Sequence, residues 1–258
     1  MMARFNRLPH LSGTSIALVL ASVFVIALPR FASAQTSPPP GVDFTGIWMG
    51  IGDDPDVPYR NSPFPSPAPL TAKGREWSEH WADPANNLGA QCLPGGGPAG
   101  HMNAGTFFPI EFIQRPEQMT ILFEVMQAVR RVFLDGREHP DPDDLESTWM
   151  GHSIGHWEGD TLVVDTIGGK AGSLNGSGSA IVARDGDTDP RMPYTETLHL
   201  TERIRLLDDG QILELEQTID DPTVYTEPFT LLRYWQRSPD TPMLEYFCTE
   251  NLRPEDEG

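Results

Sequence analysis

The chain has 258 residues, with 18 basic and 37 acidic side chains, and a formal net charge of −19. Phosphate backbones and anionic lipid headgroups repel so acidic a protein, so we expect neither nucleic-acid nor membrane partners. Its length suffices to bury a sizeable core, as one large β domain or two small ones.

The first 34 residues have the three parts of a secretory signal peptide. Arg4 and Arg7 give a positive start, residues 16–28 form an uncharged apolar run, and Ala32-Ser33-Ala34 supplies small residues for cleavage. The run is too short to span a bilayer. We therefore predict cleavage after Ala34 and a periplasmic or secreted mature protein.

Most of the remaining chain has the pattern of short strands. Residues 35–41, with three successive prolines, are predicted to be a flexible leader, and residues 42–50 a strand. After a Pro- and Asp-rich loop comes one helix, with Thr71 as N-cap, Trp77 and Trp81 on one face, and an end before Pro84. The later predicted strands are 106–114, 119–125, 129–134, two strands within 149–166, 196–207, 211–219, 225–236 and 244–249.

About ten strands with frequent turns and no alternating helices predict an all-β fold. The pattern favours an antiparallel barrel or sandwich and argues against a Rossmann-type sheet. The Gly-rich segment 168–173 lacks the spacing of a phosphate-binding loop, and we expect a long flexible loop there. We assign residues 42–258 to a single domain.

The two cysteines are Cys92 and Cys248. In an oxidising compartment an even pair most simply forms one disulfide, which would tie an early loop to the last strand. The alternatives are two free thiols or a nucleophile at Cys92, whose neighbours at 93–97 include no base.

Residues 149–166 have the pattern of a β-hairpin that carries two histidines. Side chains two residues apart share a face, so His152 and His156 lie on one face and Trp157 on the other. With a turn of two or three residues after Glu158, Asp165 on the returning strand comes opposite Ile154 or its neighbour, beside His152.

Residues Gly151–Thr166 resemble the Gly-His-Ser-x-Gly-x-Trp-Glu-Gly-Asp-Thr-Leu-Val-Val-Asp-Thr core of a widespread family of uncharacterised secreted bacterial proteins. Segments 43–48, 130–137, 197–203 and 219–222 resemble other parts of that family. The chain departs from the family at Gly169, where Phe is usual, and at Tyr194-Thr195, where His-Ser is usual. The resemblance implies a lipocalin-like β-barrel, and it implies no particular activity.

His152 and Asp165 are the first candidates for chemistry. A carboxylate that bonds one imidazole nitrogen raises the basicity of the other, as a general base near neutral pH requires. His156 or Arg131 would then polarise the substrate. The alternatives are a histidine that only bonds a neighbouring strand, or one that lines a ligand site without reacting.

A metal site has weaker support, and we predict no cofactor. His152 and His156 are roughly 13 Å apart along a strand. Zinc would therefore need a bulge, or a further histidine such as His101, His139 or His199.

Two other patterns are possible sources of chemistry. Gly151–Gly155 fits the string Gly-x-Ser-x-Gly, but a hairpin follows it where a serine hydrolase has a helix. An inward-facing glutamate would be informative because it needs a cation. The candidates for such a pair are Glu111, Glu124 and Glu196 with Arg131, Arg203 and Arg205.

We expect an exported enzyme that does acid–base chemistry, of isomerase, lyase or hydrolase type. Its substrate would be a small hydrophobic or hydroxylated molecule in the barrel mouth. A non-catalytic carrier of a small hydrophobic ligand is the main alternative, and a structural envelope protein is a third. Contact between His152 and Asp165 inside a cavity would favour the enzyme, and side chains that face solvent on the outer wall would rule it out. The sequence does not define the oligomeric state.

Overall fold

The computed structural model describes residues 37–52, 57–103, 108–175 and 191–248, in which strands predominate. The predicted signal peptide lies outside these ranges. Strands are numbered in chain order: β1 Gly46–Gly50, β2 Ile110–Arg115, β3 Gln118–Phe123, β4 Val129–Phe133, β5 His152–Glu158, β6 Thr161–Ile167, β7 Gly172–Ser173, β8 Pro193–Tyr194, β9 His199–Leu207, β10 Ile212–Asp220 and β11 Phe229–Arg237.

Nine of these strands close into one barrel, in the order β1-β11-β10-β9-β6-β5-β4-β3-β2. The predicted all-β fold with a single barrel is thus confirmed. The barrel is not wholly antiparallel, however, because β4 and β5 pair in parallel. A tight hairpin cannot join parallel strands, so the chain between them, residues 134–151, is a long connection. That connection supplies a side chain to the candidate site.

Alternation along the strands fills the barrel with large side chains. Trp48, Trp157 and Trp235 are each at most 1% exposed, and they share the core with residues from every barrel strand. A second apolar cluster contains Tyr194 and Tyr225. It includes side chains from β8, β9 and β10, and Trp77 packs against it.

Within the described ranges two α-helices accompany the barrel, α1 Ala72–Ala82 and α2 Gly97–Asn103. In α1 the predicted cap is present, because Thr71 Oγ1 accepts a hydrogen bond from Gly74 N at 2.9 Å. The sequence analysis predicted one helix and missed α2, whose Gly-Pro-Ala-Gly start has low helix propensity. Nearly all residues of this helix are buried, so tertiary packing supports it.

Cys92 and Cys248 form the predicted disulfide, across a sequence separation of 156 residues. A disulfide is compatible with an oxidising compartment outside the cytoplasm. In the described parts of the chain, no helix is both long and apolar enough to cross a membrane.

Two predicted elements differ from the structure. The segment expected to be one flexible loop contains β7, which pairs with β8, and an added Cβ at Gly172 would lie 2.0 Å from the Gly95 carbonyl oxygen. The expected final strand is absent from residues 244–248, so β11 is the last strand described. Cys248 is therefore not held in a strand.

Candidate functional site

Strands β5 and β6 form the predicted hairpin. They are joined by a two-residue turn in which Gly159 has a φ of +64°, a conformation that glycine adopts without strain. The register places Asp165 opposite Ile154, as predicted, and therefore on the same face as His152.

This face is the outer wall of the barrel. Ser153 and Trp157 alternate with His152 along β5, and both point inward and are 1% exposed. His152 and Asp165 are half-buried on the opposite side. The site therefore lies on the outer wall and not in the barrel mouth, where we expected it. The contact inside a cavity that would favour the enzyme is not found, but His152 and Asp165 are half-buried and do not face open solvent.

Gly151 allows β5 to begin close against β6. Its φ is +64°, and an added Cβ would lie 2.7 Å from the carbonyl oxygen of Ile167. A larger residue would push the start of β5 away from β6. Because His152 is the next residue, this glycine sets its position beside the β6 side chains.

His139 joins the two residues that we predicted to touch. It lies in the connection between β4 and β5. Its Nδ1 is 2.8 Å from His152 Nδ1, and its Nε2 is 2.9 Å from Asp165 Oδ1. His152 and Asp165 make no hydrogen bond with each other, so the link between them runs through a third side chain.

Asp165 also bonds a second imidazole. His199 Nε2, at the start of β9, is 2.6 Å from Asp165 Oδ2. Each carboxylate oxygen thus has its own histidine partner. Sequence analysis named His139 and His199 only as possible metal ligands, because no spacing rule relates a loop residue or a distant strand to this hairpin.

The hydrogen bonds fix how the protons are arranged. The Asp165 carboxylate can only accept, so Nε2 of His139 donates to it. In neutral His139 the other nitrogen, Nδ1, is then an acceptor, and His152 Nδ1 must donate to it. His152 Nε2 is consequently unprotonated and is free to accept a proton.

Partial burial lowers the pKa of His152, and positive charge on His139, when that ring is protonated, and on Arg137 lowers it further. A pKa below the ordinary value of 6.5 keeps the His152 imidazole neutral at pH 7. The ring also packs near Phe133, with ring centroids 5.4 Å apart. His152 is therefore in the state that a general base requires.

A groove of about 520 Å³ runs beside His152 on the outer wall. Its polar lining includes Arg131, Gln127 and Thr148. The apolar lining consists mainly of Pro94, Met126, Val129, Phe133, Trp149 and Met150. This volume falls in the range of small-molecule sites, and most of the lining is apolar, as in such sites.

The other two predicted residues differ in position. Val132 pairs with Ser153 in the parallel ladder, so the preceding Arg131 comes beside His152 on the outer wall. His156 is also on this wall, but its Nε2 is 3.3 Å from Glu158 Oε1 and it does not line the groove. The structure thus brings Arg131 to His152 and leaves His156 outside the groove.

The barrel interior contains a buried ion pair that the sequence analysis did not identify. Arg130 bonds both carboxylate oxygens of Glu202, and it also donates to Ser153 Oγ at 3.2 Å and Thr166 Oγ1 at 2.9 Å. Gln217 Nε2 donates to the same carboxylate. Because Ser153 is part of this sealed network, it cannot serve as a surface nucleophile.

The inward glutamate is thus Glu202, and its partner is Arg130. Neither belongs to the sets of glutamates and arginines that we considered. The alternation of Leu200, Glu202 and Ile204 along β9 is the signal that could have identified the glutamate.

Among the described residues, no group of three or more His, Cys, Asp or Glu side chains is arranged to hold a metal ion. In the histidine and aspartate cluster, His139 directs its two ring nitrogens at different partners, so the donors do not converge on one point. Comparison with models of known protein families and with curated proteins finds no match.

Proposed function

We propose that this protein is an exported enzyme that does acid–base chemistry on a small molecule bound in the groove beside His152. His152 Nε2 is the base, and Asp165 orients it through His139. The observation that carries the proposal is the hydrogen-bonded chain from Asp165 to His139 to His152, which ends at the groove. The reaction class is isomerisation, elimination or hydrolysis, and imidazole moves the proton without a cofactor.

The chain stabilises the charge that proton transfer creates. When His152 Nε2 takes a proton from the substrate, the proton on Nδ1 passes to His139 Nδ1. His152 then returns to a neutral form, and the positive charge lies on His139, 2.9 Å from the Asp165 carboxylate. A cation beside a carboxylate is favoured, so Asp165 stabilises the charge that the proton transfer creates. Reversal of these transfers returns the proton to the product.

Asp165 is well held for this role. A hydrogen bond to His199 Nε2 fixes its second oxygen, so the carboxylate cannot rotate freely away from His139. His139 is the more buried of the two histidines, with a side chain 16% exposed against 47% for His199. We therefore assign His139 to the proton chain and His199 to the positioning of Asp165.

The groove is a better ligand site than the barrel interior. Interior positions are occupied by Trp48, Trp157 and Trp235 and by the Arg130–Glu202 pair. We therefore locate the ligand on the outer wall. A carrier is still the alternative function, but its ligand would lie in the same groove and leave unchanged.

Export fits the same proposal. The Cys92–Cys248 disulfide is compatible with an oxidising compartment. The pattern of residues 1–34 and the resemblance of Gly151–Thr166 to a secreted, lipocalin-like family agree with a periplasmic or secreted protein.

The test is turnover of metabolites by the mature protein. Wild type, His152→Gln and His156→Gln are incubated with a metabolite extract of the host, and mass spectrometry follows which compounds disappear. His156 is the matched control, because it lies on the same strand and face but outside the groove. We expect one compound to be consumed by wild type and by His156→Gln, and roughly 100-fold more slowly by His152→Gln.

Two outcomes would overturn the enzyme proposal. The first is a compound that is consumed equally by all three proteins, which would mean that His152 is not the base. The second is a compound that is retained by the protein and released unchanged, which would identify a carrier.

A further inference from the structure

The groove beside His152 differs from the rest of the molecule in its charge. The chain has 37 acidic side chains, yet no Asp or Glu is among the described residues that line this groove. Its one permanently charged lining residue is Arg131. By contrast, a groove near β9 and β10 is lined by four aspartates, and another beside β2 and β4 is lined by Glu117 and Asp135.

Arg131 is available to a ligand. It lies on the exposed side of β4 and makes no ion pair or hydrogen bond with any described residue. Its neighbour Arg137 is already engaged, because it bonds Asp135 at 2.6 Å and stacks 3.8 Å from the centre of the Phe133 ring. Arg131 is therefore the guanidinium at this groove that has no carboxylate partner.

A second cation lies near one of the lining residues. Lys170 Nζ is 5.1 Å from the centre of the Trp149 ring, which lines the groove. In a protein of net charge −19, a groove lined by an arginine and by no described acid is less negative than the surface elsewhere. Anions are attracted to such a site, whereas the acidic surface elsewhere repels them.

The apolar part of the lining indicates the chemistry of the rest of the ligand. Trp149, Phe133 and Met150 offer two aromatic rings and a polarisable thioether, surfaces that favour flat apolar groups. We infer that the groove binds a small organic anion, with an aromatic or flat apolar body along Trp149 and Phe133 and a carboxylate on Arg131. This inference rests on the proposed function and names its substrate class.

The position of the carboxylate on Arg131 also determines which part of the substrate lies next to His152. The pairing of Val132 with Ser153 brings Arg131 beside His152 on neighbouring strands, which lie about 4.8 Å apart. A carboxylate on Arg131 thus holds the adjoining atoms of the ligand near His152 Nε2. The proton that His152 removes is then close to the anionic end of the substrate.

The experiment uses two probes of the same shape, 2-naphthoate and its neutral amide, 2-naphthamide. Isothermal titration calorimetry measures their binding to wild type, Arg131→Gln and Arg115→Gln. Arg115 is the matched control, because it is an exposed arginine that lines the groove with Glu117 and Asp135. A charge-assisted hydrogen bond at a partly exposed site corresponds to about a tenfold difference in affinity.

We expect wild type and Arg115→Gln to bind 2-naphthoate about tenfold more tightly than 2-naphthamide. Arg131→Gln should lose this preference and bind the amide as before. Equal binding of the two probes by wild type, no binding of either, or a preference that survives in Arg131→Gln would overturn the inference.

His152→Gln separates this inference from the proposed function. We expect that variant to keep the preference for 2-naphthoate over 2-naphthamide, because Arg131 is unchanged. If a neutral metabolite is consumed in a His152-dependent way, the protein is an enzyme but its substrate is not an anion. If 2-naphthoate binds in an Arg131-dependent way and no compound is consumed in a His152-dependent way, the anion site is supported and the enzyme proposal is refuted.

Discussion

His101 should make the stability of the protein fall steeply in mild acid. It lies in α2, is 5% exposed, and its Nδ1 donates to the Gly97 carbonyl oxygen at 2.8 Å. The ring packs edge-on against Phe123, and Nε2 is buried with no hydrogen-bond partner among the described residues. A second proton on this ring would be a buried charge, so burial lowers the pKa of His101 to about 4.

The sign and size of the effect follow from this pKa. In the unfolded chain His101 takes a proton near its ordinary pKa of 6.5, while the folded protein resists it down to about pH 4. Stability is therefore full above pH 6.5 and decreases as the pH falls towards 4. The gap between the two pKa values corresponds to about 3 kcal/mol, of which about 2 kcal/mol is lost between pH 7 and pH 4.5.

The assay is urea unfolding at pH 7 and pH 4.5, followed by tryptophan fluorescence, for wild type and for His101→Gln. Glutamine can still donate to the Gly97 carbonyl but does not titrate. The exposed His80→Gln is the control. We expect wild type and the control to lose about 2 kcal/mol more than His101→Gln between the two pH values. Equal losses in all three proteins would refute the account of His101.

Three further predictions concern stability and are checked by the same unfolding measurement at pH 7. Glu202→Gln should lower the free energy of unfolding by about 3–5 kcal/mol, because it leaves Arg130 charged and buried; a loss below about 1 kcal/mol would show that the pair is solvated. Replacing Cys92 and Cys248 with serine should cost up to about 5 kcal/mol, by releasing a very long loop in the unfolded chain; no change would contradict this. Gly74→Ala should cost about 1–3 kcal/mol, because its Cβ would lie 2.1 Å from a carbonyl oxygen in the loop after β10; wild-type stability would mean that α1 can move aside.

Local rules were sufficient to predict the hairpin. A turn that contains Gly159 and the two-residue period of strands set Asp165 opposite Ile154, on the face of His152. The N-cap at Thr71 and the all-β fold followed from equally local signals, whereas the choice of a barrel over a sandwich came from the family resemblance. Local features depend on residues that are close in sequence, and the periodicity of polar and apolar residues indicates such features directly.

The site itself depended on contacts that are distant in sequence. His139 reaches His152 and Asp165 from the long connection after β4, and no repeat fixes the path of such a connection. That same connection makes β4 and β5 parallel, which brings Arg131 beside His152. The two-residue period of the hairpin assigns each side chain to one of two faces, but it does not identify the inner face. Trp157 is buried, so its face points into the barrel and the histidine face points outward.

The protonation state of His152 decides whether this residue can act as the base. Long-range ¹H–¹⁵N correlation spectra of the mature protein at pH 7, assigned with His→Gln variants, report which nitrogen of each imidazole carries the proton. We expect a neutral His152 with its proton on Nδ1, a His139 with its proton on Nε2, and loss of this pattern in Asp165→Asn. A His152 that carries its proton on Nε2, or a pattern unchanged in Asp165→Asn, would contradict it.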